Sequence, residues 1–173
     1  DAGGSLVWHG TFSTISARSG KWYFETTCTK VNTGSGSSGA GAAISIRTKD
    51  GTDVNAGDDY TFRYTDVGYT KNGNSPVGQV SVSGNTELGD VIGVAFDVEM
   101  GSYLLYINGT EVSSGSFSFA NYTPGDELRV YTAAYPDSGG YVYGNLSGVN
   151  FGAKPFKYPA PAGYLCLVDT NLS

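Results

Sequence analysis

Charge is scarce in this chain. Lys, Arg, Asp and Glu make up 15% of its 173 residues, against about 25% in an ordinary soluble domain. Positive charge is scarcer still, with 10 Lys and Arg against 16 Asp and Glu, for a net charge of -6. Duplex-binding proteins carry a basic face that displaces counterions from phosphate, and so few dispersed cations do not make one. The expectation is no nucleic-acid partner and no adhesion to anionic lipid. No apolar run approaches the ~20 residues of a bilayer-spanning helix, so no membrane insertion is expected. The chain opens at Asp1 without Met or a signal-peptide pattern, and reads as an excised domain or a processed fragment.

Cysteine is nearly absent. Cys28 and Cys166 stand far apart and read as two buried thiols on strands, with a disulfide as the alternative. With one histidine, His9, the chain lacks the four closely spaced ligands of a zinc site. No cofactor and no metal are expected. Compartment cannot be read from two cysteines. Long runs of Ala, Leu, Glu and Lys are missing too, which excludes long helices and coiled coils.

What is abundant is glycine, 26 residues, and tyrosine, 13, in a chain that is 39% hydrophobic. That hydrophobic share argues against disorder. A chain of this length suits one domain, which needs no disulfide or metal to fold. Small polar residues, glycine and tyrosine together favour strands joined by tight turns.

Residues 21–29 are aromatic and β-branched, with Trp22, Phe24, Thr26 and Cys28 on one face at period two. A glycine–serine loop follows at 33–41. Further strands are predicted at 42–46, 60–64 and 79–82. The clearest unit runs from 89 to 112. Ile92, Val94, Phe96 and Val98 share a face, residues 99–102 turn, and 103–107 return. Asn108-Gly109 then supplies the two positive-φ residues of a type I′ hairpin turn. Strands are also expected at 128–134, 141–143, 148–151 and 164–168. Regular strand spacing without a helical period means an all-β sandwich or jelly roll. Gly93 interrupts an apolar strand and marks a bulge or a close backbone approach. Pro155, Pro159 and Pro161 stop strand pairing and favour an extended crossing of the surface, which suits a domain joined to a larger assembly.

Four segments, in order, resemble the SPRY family. They are Gly20-Lys21-Trp22-Tyr23-Phe24-Glu25, Asp66-Val67-Gly68-Tyr69, the block Gly89-Asp90-Val91-Ile92-Gly93 with its Asn108-Gly109 turn, and Val149-Asn150-Phe151-Gly152 with Pro155-Phe156. The resemblance covers about residues 19–158. It implies a bent antiparallel β-sandwich of the concanavalin-like jelly-roll type, here one domain over 1–173 with a Pro-rich C-terminal extension at 159–173. The tail, from Asn150 through Tyr164 to Leu172, is similar to SPRY-like domains of tailed-bacteriophage virion proteins. That resemblance implies a non-enzymatic structural or binding module on the virion surface, as a capsid decoration, head fibre or tail fibre. Its partners would be other virion proteins, a host surface receptor or a glycan, and a homo-oligomer fits the same setting. A carbohydrate-binding lectin for host adsorption and a cellular SPRY adaptor for a protein peptide are the alternative readings.

Loops at one end of the sandwich bind partners in SPRY domains. The matching positions are 66–69 and 135–143, which makes Tyr64, Asp66, Tyr69, Tyr135, Asp137, Tyr141 and Tyr143 the candidate ligand-binding residues. Tyrosine offers a large rigid face and a hydroxyl at low entropic cost, and it stacks on sugar rings. No basic anchor matching that of SPRY domains with peptide partners stands near these loops, so partner identity does not carry over from the family. Other constellations are weaker. Asp97-Val98-Glu99 is the one paired-carboxylate candidate for glycoside hydrolysis, but Glu99 falls in a predicted turn. Asp50, Asp53, Asn55, Asp58 and Asp59 are oxygen-rich without calcium-loop spacing. Asn-x-Ser/Thr triplets at Asn108, Asn121, Asn145 and Asn171 are what a Ser/Thr-rich chain produces by chance.

Overall fold

The computed structural model describes residues 9–30, 41–48, 59–64, 69–72, 75–78, 89–116, 123, 126–135, 145–146 and 148–167. All of its regular elements are strands. In chain order these are β1 (His9–Ala17), β2 (Lys21–Lys30), β3 (Gly41–Thr48), β4 (Asp59–Tyr64), β5 (Tyr69–Asn72) and β6 (Ser75–Gly78). They continue with β7 (Val91–Asp97), β8 (Ser102–Ile107), β9 (Thr110–Ser116), β10 (Leu128–Tyr135), β11 (Asn145–Leu146) and β12 (Leu165–Cys166). One sheet runs β1-β10-β3-β4-β5-β6, the other β11-β2-β7-β8-β9, and β12 also pairs with β2. The β-sandwich expected from the strand spacing is the fold.

The core follows from alternation. Trp22, Phe24, Thr26 and Cys28 of β2 are buried on one face. Trp22 stands opposite Phe96 and Phe24 opposite Val94. Ile92, Val94, Phe96 and Val98 complete the layer, and Tyr103 and Leu105 of β8 join it. The other sheet contributes Ala17, Ile46, Leu128 and Val130 to the same cluster. Burying a side chain such as Phe24, with no exposed surface, contributes about 1.5–3 kcal/mol. The hairpin turn takes the expected form, with Asn108 at φ 50° and Gly109 at φ 79°.

The outer face of the β2 layer is also covered. Tyr23, Glu25, Val91, Ala95 and Asp97 point away from the core, yet all are buried. The covering is the segment 152–164, which follows the Asn150 bridge at the β2 edge. It crosses the sheet without strand pairing, as its prolines require, and then returns as β12 parallel to β2. The chain past Pro159 therefore folds back, and Leu167 is buried in the core. Among the described strands, β2 and β12 are the one parallel pair.

Several local expectations need correction. β1 pairs with β10, although its Ser/Thr-rich sequence did not signal a strand. Short, polar β5 and β6 were not predicted either. The strand expected at 148–151 is a single bridge between Asn150 and Glu25, because the Asn150 side chain bends the next residues into a loop. Only Leu165–Cys166 of the strand expected at 164–168 pairs. The turn after β7 is Val98–Gly101, so Ser102 already belongs to β8. Cys28 is buried and Cys166 half-buried, both as thiols. The strands expected at 79–82 and 141–143 lie outside the described residues.

Candidate functional site

The strand ends decide where the expected binding loops emerge. Tyr64 closes β4 opposite Ala42, the second residue of β3. Tyr135 closes β10 opposite Gly41, the first. Tyr69 opens β5 opposite Arg63. The register thus brings Tyr64, Tyr69 and Tyr135 to one end of the six-stranded sheet. Connections 31–40, 65–68 and 136–144 all leave from or return to this end. The register also sorts the three tyrosines by face. Tyr64 falls on the face of Ile46, which is buried in the core. Tyr69 and Tyr135 fall on the opposite face. Asp66, Asp137, Tyr141 and Tyr143 lie outside the described residues, as do Asp50, Asp53, Asn55 and Asp58 of the acidic loop. β11 pairs with the end of β2 at Cys28 and Lys30 and also packs against β3 and β10, closing the sandwich between its sheets.

The entry to β7 and the β8–β9 turn reach the same end as β11. The Cys28 N–H donates to the Asp90 carbonyl and the Gly89 N–H to the Cys28 carbonyl, both at 2.8 Å. The Asn108 amide bridges Asp90 and Val91 beside them. The motif-bearing strand entry is a rigid part of the loop end.

The paired-carboxylate candidate is occupied by structural work. Asp97 ends β7, buried, with its carboxylate accepting the Met100 N–H at 2.9 Å and facing the Lys21 ammonium at 3.4 Å. Glu99 stands exposed in the turn. The two do not form a facing pair on a strand.

A second place was not expected from the sequence. On the outer face, segment 148–157 and β2 enclose a cleft of about 530 Å3. Glu25, Thr26 and Thr27 of β2 form its floor, and Val149, Asn150, Lys154 and Lys157 are among its walls. Two hydrogen-bond centres fix its shape. The Asn150 side-chain oxygen accepts the Gly152 and Lys154 N–H groups, and its nitrogen donates to the Lys154 and Pro155 carbonyls. The Glu25 carboxylate, only 4% exposed, accepts the Lys157 N–H at 2.8 Å, the Tyr158 N–H at 3.0 Å and the Tyr23 hydroxyl at 3.1 Å. Burial, and then the neighbouring Glu25 charge, hold the Tyr23 hydroxyl well above its ordinary pKa. Further along this face, burial and Glu111 raise Tyr106, and burial raises Tyr164 against the opposing pull of Lys21. A motif search seeks loops and paired acids, so it passes over a cleft formed by two lysines and a buried acid from opposite ends of the chain.

No protein-family model and no curated protein matches the chain. Solved structures do. The SPRY domain of human HERC1 aligns with a TM-score of 0.52 and 17% identity, covering 84% of this chain and 82% of that one. The PSpry domain of TRIM65 aligns with a TM-score of 0.51 and 11% identity, covering 73% and 69%. The carbohydrate recognition domain of Emp46p, in its potassium-bound form, aligns with a TM-score of 0.56 and 6% identity, covering 83% and 76%. At these identities the likeness is one of fold: the chain is a SPRY-like β-sandwich, with the two-sheet architecture shared by SPRY and lectin-type recognition domains.

Proposed function

We propose that this chain is a non-enzymatic binding module that meets its partner at the Tyr64–Tyr69–Tyr135 end of the sandwich. The carrying observation is the register that gathers those three residues, and with them the connections 65–68 and 136–144, at one end. The fold neighbours HERC1, TRIM65 and Emp46p support a recognition role. The engagement of Asp97 in a turn supports a role without catalysis. The proposed setting is the surface of a phage virion, as a decoration or fibre module, in contact with neighbouring virion proteins or the host surface. Scarce, net acidic charge and the resemblance of the tail to phage virion domains support it.

Electron cryomicroscopy of the parent particle tests the setting. Density for the sandwich packed on coat or fibre subunits, with the tyrosine end outward, is the expected result. Absence of the chain from any particle overturns it and brings the cellular adaptor forward. The Emp46p likeness gives specific weight to one second reading, a lectin for host adsorption. A glycan array with several hits that vanish in a Tyr141→Ser, Tyr143→Ser variant is the result that reading requires.

A further inference from the structure

The Asn108-Gly109 turn is also a latch. The Asp90 carboxylate offers only acceptors and the Val91 N–H only a donor. The Asn108 side chain meets both, donating from Nδ2 at 2.7 Å and accepting at Oδ1 at 2.9 Å. An amide can bridge such a pair and a carboxylate cannot, because it has nothing to donate. The Asn108 N–H also donates to the Val91 carbonyl, and the Asp90 carbonyl accepts the Cys28 N–H, both at 2.8 Å. The latch therefore ties the β8–β9 turn to the β7 entry, and the entry to β2.

The same dipeptide is chemically reactive, because glycine has no Cβ to shield its nitrogen from the preceding side chain. The Gly109 nitrogen attacks Asn108 Cγ. The new N–Cγ bond closes a succinimide, the Cγ–Nδ2 bond breaks, and Nδ2 leaves as ammonia with the Gly109 proton. Water then opens the ring. Breaking N–Cγ leaves aspartate, and breaking the bond to the Asn108 main-chain carbonyl leaves isoaspartate, which adds a methylene to the turn. Neither product remakes the latch, since aspartate sets a carboxylate against that of Asp90 and isoaspartate lengthens a two-residue turn. Asn108 and Gly109 are exposed, so water reaches them. Attack, however, requires the Asn108 amide to leave Asp90 and Val91 and turn toward Gly109, while the Tyr158 ring packs against Gly109 where a Cβ would overlap it. We infer that Asn108 is a site of spontaneous deamidation, gated by opening of this latch, and that the reaction releases the β7 entry irreversibly. Water is its one co-reactant, and it stands independently of the function proposed above.

The test is to age the full chain in mildly alkaline buffer, folded and in urea, and to follow acid formation at residue 108 by peptide mass mapping. Conversion in the folded chain should be slower by about thirtyfold, the factor that two side-chain hydrogen bonds of ordinary net strength hold closed. Asp90→Ala removes one of the two and should speed the folded chain about fivefold, with its rate in urea unchanged. The aged acid form, separated by ion exchange, should show faster hydrogen exchange at Cys28, Gly89 and Asn108. Asn108→Asp, made directly, carries the aspartate product and should show the same faster exchange in a chain that remains folded. Equal rates folded and in urea, no conversion in the folded chain over several of the lifetimes that gating predicts, or an Asp90→Ala rate equal to the parent's would each overturn the gated site. Parent-like exchange in the aged form and in Asn108→Asp would overturn the release.

Discussion

The side chain of Asn108 donates to the Asp90 carboxylate at 2.7 Å while its oxygen accepts the Val91 N–H at 2.9 Å. The Asn108 N–H in turn donates to the Val91 carbonyl at 2.8 Å. The Gly-Asp-Val block and the Asn-Gly turn are thus two halves of one contact. Their separation in sequence is the length of hairpin needed to bring them together.

Replacing Asn108 tests the two roles separately. Asn108→Gly keeps positive φ at no steric cost but loses the bridge, for an expected loss of about 1 kcal/mol. Asn108→Ala loses both, and should cost about 1 kcal/mol more. Urea denaturation of the two variants gives the comparison. Equal stability of the two would mean that the turn conformation carries no strain for alanine.

The Glu25 clamp is expected to be costly to break. In Glu25→Gln the amide nitrogen must face the Lys157 or the Tyr158 N–H whichever way it is turned, leaving a buried donor without an acceptor, for about 2–3 kcal/mol. Hydrogen exchange should accelerate at Lys157 and Tyr158, whose N–H groups the carboxylate accepts. Wild-type exchange at those two amides would count against the clamp.

Gly93 is under the Tyr23 ring. A Cβ there would overlap the Tyr23 hydroxyl oxygen and lie 2.9 Å from two ring carbons. The ring cannot swing freely, because Phe156 packs edge-on at 5.0 Å. Gly93→Ala should cost about 2–3 kcal/mol by overpacking, and a crystal structure should show Tyr23 and Phe156 displaced together.

High pH should weaken the fold through the same tyrosine. Tyr23 is held above its ordinary value near 10 by burial and by Glu25, so the folded state binds its proton more tightly than the unfolded chain. That contribution is complete below about pH 10 and is lost as pH rises above it, at about 1.4 kcal/mol per pH unit. Tyr106 and Tyr164, also raised, act with the same sign. Denaturant midpoints between pH 9 and 12 should fall less steeply in Tyr23→Phe than in the parent, whatever that variant's stability at neutral pH.

Residues whose neighbours in sequence are also their partners in space were readable. Trp22 to Cys28 and Ile92 to Val98 alternate at period two and do form one buried layer on a single sheet. Asn108-Gly109 announces its turn because few residues tolerate its dihedrals. Glu25 was not readable. Alternation put it on the face away from the core, where an acid is expected in water. It is buried only because a segment 132 positions later lies across it. β1 escaped notice for a related reason: its pairing partner β10 lies far along the chain, and His9–Ala17 has little apolar pattern of its own. Of the candidate tyrosines, the sequence placed Tyr64, Tyr69 and Tyr135 at one end, while the division of their faces needed the register.

The return of the chain to β2 sets an order of events in folding. β2 has β7 on one side, and on the other it receives Asn145–Leu146, Asn150 and finally Leu165–Cys166. The β7–β8 hairpin can close early on local contacts. The open edge of β2 waits until the last of these segments has left the ribosome. Until then its backbone N–H and C=O groups, beside Trp22 and Phe24, form an unpaired template for another chain. Contacts this distant in sequence also slow folding. A chain cleaved before residue 165 would keep the outer cover and the Asn150 bridge but leave the β2 edge open at Trp22 and Tyr23, where β12 pairs, and is expected to aggregate more readily than the full chain.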